Sequence, residues 1–140
     1  MTRRTAWFLH LSTILVGGSG LIFAWMLYLL EPTDPYALVS HPRQPDVQHL
    51  HVLTAPFLVF GCGILWIGHI WSRIRSGYQG RRKTGIALTV LVIPMILSGY
   101  LLQVSVDEAL RDFWIIAHVA TSCLWLIVYA VHQLSPRRSS

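Results

Sequence analysis

The sequence predicts an all-α integral membrane protein, a four-helix bundle, on three observations. Of 140 residues, 54% are hydrophobic and only 12% are charged, against roughly 25% charged in an ordinary soluble domain. Four apolar runs, 6–30, 50–71, 85–104 and 113–134, are free of Lys, Arg, Asp and Glu. Each reaches about 20 residues, the length an α-helix needs to cross a bilayer. Finally, the charges lie in short clusters between the runs. In lipid such runs must be helical, because an open strand would leave its backbone groups unpaired. The chain is expected to form a single transmembrane domain over 1–140.

The first run follows Arg3 and Arg4 and contains Gly17, Gly18 and Gly20. It is longer than a signal-peptide core and lacks an A-x-A-like cleavage site, so it is expected to be a span. The segment 31–49 carries Pro32, Pro35, Pro42 and Pro45 and reads as an irregular cap. The second run holds Gly61 and Gly63, with a kink expected at Pro56. A basic loop precedes the third run, which contains Pro94 and no histidine. The segment 105–112 is short and acidic, and neither connection on that side is large enough for a catalytic domain. Trp7, Trp71 and Trp114 fall near the expected interfaces, where amphipathic rings anchor. No long repeat or low-complexity tract is evident.

Nine of the eleven basic residues fall on one side: Arg3, Arg4, Arg73, Arg75, Arg81, Arg82, Lys83, Arg137 and Arg138. The other side holds Arg43, Arg111 and all six acidic residues. The positive-inside rule then predicts cytoplasmic N and C termini in a bacterial inner membrane. The basic excess is a topology signal, with attraction to anionic membrane lipid, and no nucleic acid is expected as a partner. Cys62 and Cys123 lie inside apolar runs and are expected to be small buried hydrophobes. No CxxCH for covalent haem is present.

Seven histidines in so apolar a chain are the informative feature, since an ionisable residue at membrane depth is a functional hypothesis by default. Counted from the flanking charges, His10, His69 and His132 share a level near the basic face. His51 and His118 share one near the acidic face, with His49 as a rival to His51. His118 and His132 are 14 residues apart, close to four turns, so they lie on nearly one face about 21 Å apart along the axis. That spacing can ligate two stacked haems, because neutral imidazole is a natural axial ligand for iron. The second ligand would be His51 at the acidic level, and His10 or His69 at the basic level. The glycines fit either a flat macrocycle or ordinary close helix packing. Arg3, Arg4, Arg73 and Arg75 fit either haem propionates or a purely topological role.

This pattern resembles the four-helix b-type cytochromes of bacterial cytochrome b561 and the membrane subunits of formate dehydrogenase and nickel–iron hydrogenase. In that group helices one, two and four carry the ligands, helix three carries none, and the two ligands on helix four are 14 residues apart. The resemblance implies two b-type haems, His10 pairing with His132 and His51 with His118. The departure is His69. It lies 18 residues, or five turns, from His51, so His69 with His132 is an alternative inner pair. Relative to the inner level, His51 sits about 6 Å further out than His118.

The function expected is a membrane electron-transfer subunit rather than a complete enzyme. It would carry electrons between the quinone pool and a larger periplasmic or membrane redox subunit, such as a c-type cytochrome or a dehydrogenase. His69, if not a ligand, would serve an inner quinone site; Tyr100 and Gln103 would serve an outer one. The alternative is a haem-free membrane anchor or assembly subunit. A small transporter is disfavoured by the absence of intramembrane Asp, Glu, Lys and Arg.

Overall fold

The computed structural model describes residues 2–32, 34, 36–77 and 80–135. Arg137 and Arg138, used above for topology, lie outside them. The described residues form four long helices and no strand: α1 (Arg3–Tyr28), α2 (Gln44–Leu65), α3 (Arg82–Val104) and α4 (Glu108–Leu134). A π-helical segment, Trp66–Trp71, and a short α-helical turn, Ser72–Arg75, follow α2. All four spans, the second taken as Gln44–Arg75, are long and apolar enough to cross a membrane.

Each helix begins before its apolar run: at Arg3 rather than 6, Gln44 rather than 50, Arg82 rather than 85, and Glu108 rather than 113. Capping explains part of this. Thr2 accepts a hydrogen bond from the Thr5 amide (3.2 Å) at the start of α1. Asp107 accepts one from the Leu110 amide (2.9 Å) at the start of α4. Asp46 and Glu108 sit in the first turns of α2 and α4, where carboxylates favour the positive end of the helix dipole. Hydropathy marks the buried length of a helix; polar caps extend it. Pro56 and Pro94 lie inside α2 and α3, and both helices run on through them.

The chain divides into two compact units, 1–69 and 70–140. In the first, α1 packs against α2. The buried residues of α1 are Leu9, Ser12, Thr13, Val16, Ser19 and Met26; the first five follow the three- and four-residue spacing of one helix face, and Met26 lies two turns further on. Ser12, Thr13 and Ser19 are small, which permits close backbone approach in lipid, where packing rather than water exclusion drives association. Gly61 receives the side chains of Phe8 and Leu9, and Gly20 receives the ring of His51. This register makes the hairpin antiparallel. In the second unit α3 packs against α4; Gly85 lies beside His132 and Gly99 beside His118, again antiparallel. Leu11, Ile14, Phe57, Phe60, Val90, Ile93, Ile116 and Ile127 are exposed, the pattern of side chains that meet lipid rather than water. Cys62 is half-buried, but Cys123 is exposed rather than buried, and both are free thiols.

Candidate functional site

Three of the predicted histidines are held from across their own hairpin. The His51 ring, on α2, places Nδ1 3.0 Å from the Val16 carbonyl oxygen on α1. Ser19 Oγ lies 3.4 Å from the same nitrogen and donates its own proton to the Val16 carbonyl (3.1 Å). A carbonyl can only accept, so Nδ1 carries the proton and the neutral ring keeps its lone pair on Nε2. Thr54, one turn further along α2, bonds back to the Leu50 carbonyl at 2.6 Å and the His51 carbonyl at 3.3 Å.

The second unit repeats this arrangement. His118 on α4 places Nδ1 3.0 Å from the Met95 carbonyl of α3. Ser98 Oγ is 3.4 Å from that nitrogen and donates to the Met95 carbonyl (3.1 Å). Thr121 bonds the Ala117 carbonyl at 2.7 Å and the His118 carbonyl at 3.3 Å. Glycine completes both copies. A Cβ on Gly20 would meet His51 Cε1 at 2.8 Å, and one on Gly99 would meet His118 Cε1 at 3.0 Å. Val16, Ser19 and Gly20 thus correspond to Met95, Ser98 and Gly99. His51-Val52-Leu53-Thr54 corresponds to His118-Val119-Ala120-Thr121, and Arg3-Arg4-Thr5 to Arg82-Lys83-Thr84. The two hairpins therefore share one arrangement, although the sequence carries no evident long repeat. Val16 and His51 are 35 residues apart and Met95 and His118 only 23, so no fixed period survives in the sequence.

At the basic end the copies differ. His132 Nδ1 lies 2.8 Å from Thr84 Oγ1, whose proton goes to the Arg81 carbonyl (3.0 Å), so Thr84 accepts from the ring. The matching Thr5 instead bonds Thr2 Oγ1 at 2.8 Å, and the position matching His132 on α2 is Leu65. The first unit offers His10 and His69 at this end. His10 is half-buried, with the Trp7 ring edge-on at 6.2 Å. His69 is half-buried in the π-helical segment. A π turn closes on the fifth residue rather than the fourth. The five-turn count that put His69 on the face of His51 assumed an unbroken α-helix, so it no longer fixes that face.

The remaining histidines separate cleanly. His49, the rival to His51, is exposed. His41 accepts a hydrogen bond from the Arg43 amide at 3.1 Å, a local turn contact. Of the flagged glycines, Gly20 receives an imidazole, Gly61 receives apolar side chains, and Gly18 and Gly63 face open space. Ser19, Ser98, Thr84 and Gly99 were not singled out from the sequence. For Ser19, Ser98 and Gly99 the only signal was the pair Ser-Gly at 19–20 and 98–99, which also occurs at 76–77.

The donor set suits haem. An axial histidine needs Nε2 for iron and an orienting acceptor on Nδ1, and His51, His118 and His132 each have that acceptor. Among the described residues no group of three or more His, Cys, Asp or Glu side chains is gathered as a bare metal ion would require. No family model, curated protein or solved structure matches the chain.

Proposed function

We propose that this protein is a b-type cytochrome subunit that carries electrons across a membrane through two bis-histidine haems. The observation that carries the reading is the duplicated clamp, in which one hairpin design twice fixes an imidazole through Nδ1. Helix packing alone has no need of that tautomer, and iron ligation does. His51 and His118 would ligate one haem, and His132 with His10 or His69 the other.

Depth counting supports the first pair. The carbonyl that holds His51 is twelve residues beyond Arg4, and the one that holds His118 is twelve beyond Lys83. Counted along α1 and α3 from their basic ends, the two rings stand at the same distance. The 6 Å offset arose from counting along α2 from the inner histidine level, a stretch that takes in part of the π-helical segment Trp66–Trp71. The haems supply reversible one-electron chemistry. The chain's residues set ring orientation, burial and the charge nearby, which tune potential. Exchange with quinone and with a larger redox subunit, placement in a bacterial inner membrane and cytoplasmic termini complete the proposal. They rest on the charge asymmetry and on the resemblance to four-helix b-type cytochromes.

A reduced-minus-oxidised visible spectrum of the purified protein, with haem quantified per chain, tests the reading. Two b-type haems per chain are expected. A chain made with ample haem supply that binds none would leave a haem-free anchor as the better account. The inner pair is tested by His10→Ala and His69→Ala. With His10 as ligand, the first substitution removes the inner haem, and the second leaves both haems but slows quinone turnover. The reverse haem pattern would assign the ligand to His69.

A further inference from the structure

Trp125 is 4% exposed, the most buried large side chain among the described residues. It lies seven residues from His118 and seven from His132. Seven residues are close to two turns, so the three side chains share one face of α4, with Trp125 about 10 Å along the axis from each histidine. Tyr129 stacks on it, centroids 5.2 Å apart and planes at 16°. The indole Nε1 is buried and finds no acceptor. Indole nitrogen can only donate, and buried polar groups are normally paired. A core position that needed only volume would be met by Phe or Leu without an orphaned donor. The parallel Tyr129 ring does not take the proton, so the indole is held between the two histidine levels at the cost of an unpaired donor.

Resting on the two-haem reading, we propose that Trp125 is the bridging residue between the two haems. It fills the gap between the levels of His118 and His132 with a polarisable ring and so speeds electron passage from one to the other. One electron moves per event. With both haems bound, the donor iron would be oxidised and the acceptor iron reduced; no proton would move, and Trp125 would end as it began.

The test uses the full haem-loaded chain as wild type, Trp125→Leu and Trp125→Phe. Three quantities are read: haem per chain, the two midpoint potentials, and the rate at which the haems equilibrate after flash reduction by an external photoreductant. Trp125→Leu is expected to keep both haems and both potentials while slowing equilibration by an order of magnitude or more. Trp125→Phe should restore most of that rate. An unchanged rate in Trp125→Leu with both haems present would overturn the bridge alone. Equal slowing in both variants together with shifted potentials would do the same, because that is the signature of lost packing. A wild-type chain without haem would remove the two-haem reading and this inference with it.

Discussion

If the proposed two-haem reading holds, Gly20→Ala is expected to cost the protein most of one haem. In an ordinary helix interior this substitution stabilises by about 0.5–1 kcal/mol, because alanine loses less conformational freedom. Here the new Cβ would sit 2.8 Å from His51 Cε1, inside van der Waals contact. The ring is tied by Nδ1 to Val16, so it can yield only by breaking the bond that orients it. Dense packing makes a displacement of a few tenths of an ångström costly, and an axial ligand tolerates little misplacement. Gly99→Ala meets His118 Cε1 at 3.0 Å and should act in the same direction but less severely. Gly18→Ala and Gly63→Ala, which meet nothing within 4 Å, should retain both haems. Haem per chain after purification ranks the four variants. Equal retention in Gly20→Ala and Gly18→Ala would show that the His51 ring has no demanding role.

His51→Ala and His118→Ala should each abolish the same haem signal, and the double substitution should remove no more than either alone. Two ligands to one iron act as a unit, and substitutions within one unit are not additive. If the two histidines served different irons, the double variant would lose both signals. His49→Ala is the matched control two residues from His51, on an exposed side chain, and should leave the spectrum intact. His132→Ala should remove the other signal. Low-temperature spectra that resolve the two haems, with haem stoichiometry, separate these outcomes.

The all-helical architecture with four candidate spans was legible in the sequence. Four uncharged runs and the placement of Arg, Lys, Asp and Glu define four spans and their two ends. The 14-residue spacing of His118 and His132 defines one face of one helix. Both are one-dimensional quantities, set by the rise and pitch of a single helix, and need no knowledge of a neighbour.

What the sequence did not reveal depends on hairpin register. Only when α1 lies beside α2 do Val16 and Ser19 meet His51, and only when α3 lies beside α4 do Met95 and Ser98 meet His118. The connection between α1 and α2 is much longer than the one between α3 and α4, so the two copies share no constant spacing. His49 stood as a rival to His51 because the two are two residues apart. The side of the helix decides between them, and His51 faces the α1 carbonyl while His49 is exposed. The π-helical turn at Trp66–Trp71 altered the phase of His69, a change no regular periodicity encodes. The sequence by itself thus determined which residues lie at which depth. Only the tertiary structure decided which atoms meet, because a hydrogen bond requires two helices in register, and that register is set by loop lengths and by glycines that let imidazoles in.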